Sequence, residues 1–262
     1  MNERIPKVIH YCWFGNNELP LDVKGCINSW KKYCPDYKII RWDESNFDVK
    51  MFKYTQQAYS EKKWAFVSDV ARLYIIYKNG GVYLDTDVEL IKPLDDLLDN
   101  ECFMGFEQGN SVATGLGFGA KPNNEIIYKN LQLYINLSFY NVDGSLNLKP
   151  CPEYTTELLI KYGLKPNGKT QKFNNIKVYS VDYFCPRLLT NGGANTNSFT
   201  YSIHHYAGSW ISVYDKNKQA YRVEIYTKYG KFGLKIIDGI FLFKENGFFY
   251  FIKRLFSFKW LK

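Results

Sequence analysis

The sequence predicts an α/β fold with a mostly parallel central sheet, and three stretches carry that expectation. Residues 7–14 (KVIHYCWF) form a short apolar run closed by Gly15-Asn16-Asn17, the pattern of a buried strand ended by a turn. Residues 21–33 have helical spacing, and after Pro35-Asp36 a second strand-like run covers 37–42, so the chain opens strand, helix, strand. Residues 64–78 make the clearest helix: Phe66, Val70, Leu73, Tyr74 and Tyr77 recur at helical intervals, and Gly80-Gly81 supplies the stop.

Beyond that helix, residues 82–84 start a short apolar strand that runs into Asp85-Thr86-Asp87. Residues 102–106, 115–120 and 177–181 read as strands, and 125–137 and 154–162 as helices. Residues 191–198 (NGGANTNS) form a polar, glycine-rich loop of the kind that moves over active sites, and 203–210 follow as a compact strand or turn. The chain has no internal repeat and no low-complexity stretch.

A length of 262 residues suits one large α/β unit, and 46% hydrophobic with 23% charged residues excludes a disordered chain. Aromatic residues are abundant at 18%; rings can cover sugars and nucleobases, but most of them belong to the core. The net charge of +8 is concentrated in residues 216–262, which hold 11 Lys and Arg against 3 Asp and Glu. The preceding body is neutral, so the basic character does not describe a nucleic-acid-binding face, and no nucleic-acid recognition motif is present. The expected organisation is a catalytic domain over 1–215 and a basic, aromatic extension over 216–262. The extension is expected to dock on an anionic membrane surface or to form a protein interface.

The six cysteines show no C-x-x-C pair and no zinc spacing, which favours buried reduced thiols. The N-terminal residues lack a signal-peptide core, and no apolar run reaches the ~18 residues of a membrane span. The expected location is cytoplasmic, peripheral at the inner face of the plasma membrane if the extension binds lipid.

Chemistry concentrates in Asp69-x-x-Arg72 followed by Gly80-Gly81-Val82-Tyr83-Leu84-Asp85-Thr86-Asp87. Residues two apart on a strand point the same way, so Asp85 and Asp87 can present carboxylates to one side if the extended geometry persists. At the carboxyl end of a parallel strand such a pair suits a hard divalent cation that also grips a diphosphate. The bland alternative is a solvated D-T-D turn. Asp69 and Arg72, three apart on an apolar helix, form either an intrahelical ion pair or an acceptor and donor that orient sugar hydroxyls.

The block from Ser68 to Asp87 resembles the sugar-binding region of glycosyltransferase family 32. So do I-P-K-x-I-H-x-x-W-x-G at residues 5–15, Cys185-Pro186-Arg187, and the close His204-His205-Tyr206-Ala207-Gly208-Ser209-Trp210. The resemblance implies a GT-A type nucleotide-sugar-binding fold, a nucleoside diphosphate-sugar donor, and transfer with retention at the anomeric carbon. By that resemblance Asp85 and Asp87 hold Mn2+ or Mg2+ against the diphosphate, with Asp85 also near the ribose. Asp69 and Arg72 bind the donor sugar, Tyr83 lines the same pocket, and Trp13 stacks on the nucleobase.

His205 to Gly208 is similar to the late metal-ligand motif of related retaining GT-A enzymes, which makes His205 the expected third ligand and His204 its strand neighbour. An imidazole ligand shifts the preference from Mg2+ toward Mn2+. Ser209 and Trp210 are expected to close over the diphosphate, and Glu107 and Asp182 are candidate site carboxylates without a motif to promote them. The expected donor is a UDP-sugar, and the expected acceptor a glycan or lipid-linked saccharide in capsular or lipopolysaccharide synthesis. A metal-dependent sugar-nucleotide hydrolase and a non-catalytic sugar-nucleotide-binding protein are the rival readings, and glycoside product with an added acceptor separates transfer from both.

Overall fold

The structure, a computed structural model, describes residues 4–189 and 193–207, together with Tyr221, Ile225, Ile237, Ile240 and Phe241. The elements in chain order are β1 (Val8–Cys12), α1 (Leu21–Tyr33), β2 (Lys38–Trp42), α2 (Lys53–Ser60), α3 (Trp64–Asn79), β3 (Gly81–Tyr83) and β4 (Val88–Leu90). They continue with β5 (Cys102–Phe106), β6 (Val112–Ala113), β7 (Phe118–Ala120), α4 (Glu125–Ile135), α5 (Cys151–Lys161), β8 (Gln171–Phe173), β9 (Ile176–Tyr179), α6 (Val181–Phe184) and β10 (Ser202–His204).

The main sheet runs β2-β1-β3-β7-β5-β9-β8, with β6 paired to β5. Pairing of β1 with β2 and with β3, and of β5 with β9, is parallel. Strand β7 lies antiparallel between β3 and β5, while β6 and β8 oppose β5 and β9. Five of the eight strands therefore share one direction, as the expectation of an α/β fold with a mostly parallel central sheet requires. The inserted β7 makes the sheet mixed. A separate pair, β4 and β10, is antiparallel and sets His204 opposite Val88 and Ile203 opposite Glu89.

Strand alternation divides the core between the two faces of the sheet. Along β5, Cys102, Met104 and Phe106 point to the side covered by α2 to α5, whereas Phe103 points to the side covered by α1 and α6. Tyr83 and Val82 of β3 divide in the same way. Helix α3 buries Phe66, Val67, Val70, Leu73, Ile75 and Ile76, each worth about 1.5–3 kcal/mol against leaving it exposed. That anchoring fixes the rotation of α3 and hence where Ser68, Asp69 and Arg72 face.

Helix α3 stops at Gly80, whose φ of 65° and ψ of −163° are open to glycine. Gly81 follows at φ 96°, and a Cβ there would lie 2.8 Å from the Val8 carbonyl oxygen. The pair turns the chain tightly from helix into β3 beside β1. Helix α4 starts at Asn124, whose Oδ1 accepts from the N–H of Ile126 and Ile127 at 3.1 and 3.3 Å. All six cysteines are free, five of them buried and Cys151 half-buried.

Contacts divide the chain into two compact units, 1–207 and 208–262. In the second, the described residues are helical and the Tyr221 and Phe241 rings meet at 6.4 Å. The rest of the extension expected at 216–262 lies outside the described residues. Among the described residues no helix is long and apolar enough to cross a membrane.

Candidate functional site

The co-directional strands bring their carboxyl ends to one edge of the sheet, where open α/β sheets bind ligands. Trp13 follows β1, Asp85 follows β3 and Glu107 follows β5. The segment leading into the opposed β7 arrives at the same edge, which sets Gly115 against Asp85: the Asp85 N–H donates to the Gly115 carbonyl at 3.1 Å. A Cβ on Gly115 would lie 2.1 Å from Asp85 Oδ2, so the absent side chain is what lets the carboxylate sit there.

Asp85 and Asp87 do not share an extended strand. Strand β3 ends at Tyr83, and a turn closes between the aspartates, with the Val88 N–H donating to the Asp85 carbonyl at 3.1 Å. The turn, not strand alternation, brings the two carboxylates toward each other. Asp85 Oδ1 accepts from the Tyr83 hydroxyl at 3.0 Å and faces Arg72 Nη2 at 3.1 Å. The same Nη2 lies 3.0 Å from Asp69 Oδ1, and the guanidinium sits over the Tyr83 ring at 4.9 Å. Arg72 Nε donates to the Ser68 carbonyl at 3.1 Å, which fixes the plane of the fork.

Asp69, Arg72, Tyr83 and Asp85 thus form one connected group, as the sequence predicts for the first two and extends to the others. Burial raises the Asp69 carboxyl against the pull of Arg72. Burial also pushes Asp85 up to about 6, with Arg72 acting against it and Asp87 adding to it. Arg72 is raised, because Asp85, Tyr83 and Asp69 outweigh its own burial, and it stays charged.

On the other side of Asp85, Asp87 Oδ1 faces His204 Nε2 at 3.2 Å, and Asp87 Oδ2 accepts from the Ala207 N–H at 2.9 Å. Burial opposes ionisation of Asp87, but His204 and that N–H hold its carboxyl below the ordinary range. Burial likewise opposes charge on His204, and its bond to Asp87 overrides it, so the imidazole is raised above its ordinary value.

The structure does not bring the expected ligand His205 to the aspartates. Alternation along β10 turns His204 toward Asp87, while His205 Nε2 pairs with Glu89 at 2.9 Å in an exposed position. Asp85, Asp87 and His204 each offer a ligand atom, all within 4.8 Å of one another. Two carboxylates and an imidazole are a donor set that fits a divalent transition metal better than an all-oxygen ion. Buried Nδ1 of His204 has no hydrogen-bond partner among the described residues. Ligation by His204 would release the proton that its pairing with Asp87 favours.

Trp13 lies half-buried at the rim, its Nε1 donating to the Asn17 carbonyl at 2.8 Å. Glu107 is half-buried, its carboxyl raised by burial with His204 pulling the other way. Asp182 is exposed on α6. Ser209 and Trp210 lie outside the described residues.

Two further side chains reach the group without a signal in the sequence analysis: Cys151 Sγ lies 3.9 Å from Arg72 Nη1 and 3.8 Å from Thr114 Oγ1. Burial keeps the Cys151 thiol neutral. A cysteine and a proline just ahead of the helix expected over 154–162, and the glycine-dense A-T-G-L-G run, were the traces available.

Residues 20–104 match the family model described as a glycosyltransferase sugar-binding region containing a DXD motif. Inositol phosphoceramide mannosyltransferase 1 of Schizosaccharomyces pombe is 31% identical over 179 residues, covering 63% of this chain and 54% of that protein. An alpha-1,4-N-acetylglucosaminyltransferase of Homo sapiens is 31% identical over 91 residues, covering 34% of this chain and 25% of its own length. The chain therefore spans about half or less of the length of these relatives. The solved PaToxG glycosyltransferase superposes with a TM-score of 0.48 at 22% identity, over 61% of this chain and 69% of its own. Over residues 20–104 this chain is thus similar to the sugar-binding region of DXD-containing glycosyltransferases, and Asp85-Thr86-Asp87 is the D-x-D sequence inside that match.

Proposed function

We propose that the protein is a metal-dependent, retaining glycosyltransferase. In this reading it moves a sugar from a nucleoside diphosphate-sugar, with UDP-sugars favoured, to a glycan or lipid-linked saccharide in surface polysaccharide synthesis. One observation carries the proposal: Asp85 belongs at once to the Arg72–Asp69 pair and to the Asp87–His204 group. A donor has two parts to be held, a neutral sugar and an anionic diphosphate, and the site has two adjoining halves of matching chemistry.

In the first half, the Asp69 carboxylate accepts from sugar hydroxyls and Arg72 donates to them. Their mutual bond and the Tyr83 ring under the guanidinium keep both from reorganising. In the second, Asp85, Asp87 and His204 would hold a divalent cation, Mn2+ over Mg2+. A bound ion would supply electrostatic stabilisation of the charge developing on the departing diphosphate. Trp13 offers a half-buried ring face for the base. The acceptor hydroxyl would attack the anomeric carbon as its bond to the diphosphate breaks, the departing phosphate taking up the hydroxyl proton, and no side chain is assigned as a covalent nucleophile.

The relatives named above are a mannosyltransferase and an N-acetylglucosaminyltransferase, which agree on sugar transfer and differ in the sugar. The test is therefore a panel of UDP- and GDP-sugars with Mn2+ and saccharide acceptors, reading both nucleoside diphosphate and glycoside. Glycoside formed from one donor class supports the proposal. Nucleoside diphosphate released at equal rate with and without acceptor, and no glycoside, makes the protein a hydrolase. The membrane-peripheral part of the expected location rests on the 11 basic residues of 216–262. Failure of the full chain to sediment with anionic vesicles at low salt would remove it.

A further inference from the structure

A histidine that ligates a metal is ordinarily aimed by a hydrogen bond from its second ring nitrogen to a carboxylate or carbonyl. Among the described residues His204 lacks that device: its buried Nδ1 has no hydrogen-bond partner there, while Nε2 faces Asp87 at 3.2 Å. Something else must hold the ring. The group that meets it is Tyr206, whose ring lies 4.2 Å from the imidazole, centroid to centroid, at an interplanar angle of 74°.

Tyr206 is itself held with unusual care. Its φ is 50°, a left-handed conformation that a bulky non-glycine residue adopts only when its surroundings over-determine it. Both neighbours are tied to one aspartate: the His205 N–H donates to the Asp87 carbonyl at 3.0 Å, and the Ala207 N–H to Asp87 Oδ2 at 2.9 Å. At the far end of the side chain, the Tyr206 hydroxyl meets Cys185 Sγ at 2.6 Å. Cys185 is fully buried, and its carbonyl accepts from Gln108 Nε2 at 3.2 Å. The ring is thus pinned at its backbone by the Asp87 loop and at its tip by the core, and its middle meets His204.

We infer that Tyr206 is a positioning residue that orients the His204 imidazole toward Asp87 by ring packing, with Cys185 as its anchor. The inference rests on the reading of Asp85, Asp87 and His204 as a metal group. Strain at φ 50° is the counterpart of that role, because relaxing the backbone would swing the ring away from His204.

The test is calorimetric titration of Mn2+ alone into the full chain, beside metal-free thermal unfolding and the split between KM and kcat for the donor. Losing an orienting partner typically weakens metal affinity about 10- to 100-fold, and Tyr206→Leu should do so with its metal-free unfolding still cooperative. Tyr206→Phe and Cys185→Ala keep a ring but cut the anchor, and should shift Mn2+ affinity the same way by a smaller factor. They decide the matter if Tyr206→Leu does not fold. His204→Ala should lose most Mn2+ affinity, and His205→Ala should bind like wild type.

If His204→Ala weakens Mn2+ binding but all three Tyr206 and Cys185 variants bind like wild type, the positioning role is wrong and the metal group stands. If wild type binds no Mn2+, or binds it equally well without His204, the metal reading fails and the inference with it.

Discussion

Replacing Gly115 with alanine places a methyl carbon 2.1 Å from Asp85 Oδ2 and 3.2 Å from Arg72 Nη1. Ordinary contact begins near 3.4 Å, so one partner must retreat by more than an ångström. The main chains resist parting, because the Asp85 N–H donates to the Gly115 carbonyl at 3.1 Å. Swinging the carboxylate away breaks its contacts with Tyr83 and Arg72, each a bond to a charged group worth about 1.5–3 kcal/mol. Local backbone accommodation is the cheaper route, at about 1–3 kcal/mol for an overpacked site. Gly115→Ala should therefore fold with a modestly lowered midpoint. A misplacement of about 1 Å in a catalytic arrangement costs roughly 100-fold, and kcat/KM for donor turnover should fall by that order. Steady-state kinetics paired with thermal unfolding reads both. Wild-type kcat/KM at an unchanged midpoint would refute the claim that Asp85 must sit against this glycine.

Two predictions concern the scaffold. His10 Nδ1 accepts from Trp42 Nε1 at 3.0 Å, and Nε2 faces the Gly80 carbonyl at 3.1 Å, which a neutral ring satisfies. Burial lowers its pKa from 6.5 to about 4, with the Gly80 carbonyl opposing and Lys38 adding. The unfolded chain thus takes up the proton first as pH falls. Stability should be full above about pH 6.5 and decline toward pH 4 by about 3 kcal/mol. Urea unfolding across that range should show the decline in wild type and a reduced one in His10→Gln; equal slopes would exclude His10 as the source. Asn124→Ala should cost about 1 kcal/mol, because two α4 N–H groups lose their cap. An unchanged denaturation midpoint would mean that water replaces the cap at no cost.

Legibility followed sequence distance. Helix α3, its glycine stop, β3 and the aspartates lie within one contiguous stretch, so spacing alone brings Asp69 and Arg72 near Asp85. Helix α1 was legible to its ends. The third metal-group residue was not, because it depends on the register of β10 against β4 across more than 100 residues. A one-residue change in that register exchanges His204 and His205 between faces, and local similarity pointed to His205, which the structure pairs with Glu89 instead. Gly115, Thr114 and Cys151 were missed for the same reason: each reaches the site from a separate element, and small residues leave no periodic signal. The opposed direction of β7 is likewise set by its neighbours β3 and β5, not by its own three residues. Helices α2 and α6 and strands β4, β6 and β8 were absent from the sequence expectation, all of them short.

The central claim is that Asp87 helps hold a cation needed for donor turnover, and Asp87→Asn tests it most directly. The substitution keeps the size of the side chain and an oxygen to accept from the Ala207 N–H, while removing the charge that faces His204. Release of nucleoside diphosphate from the preferred donor should be followed against added Mn2+, and again with chelator, for wild type and variant. The account predicts metal-dependent turnover in wild type, none with chelator, and none in Asp87→Asn at any Mn2+ concentration, with both proteins unfolding cooperatively. Turnover by Asp87→Asn comparable with wild type, or wild-type turnover indifferent to chelator, would contradict it.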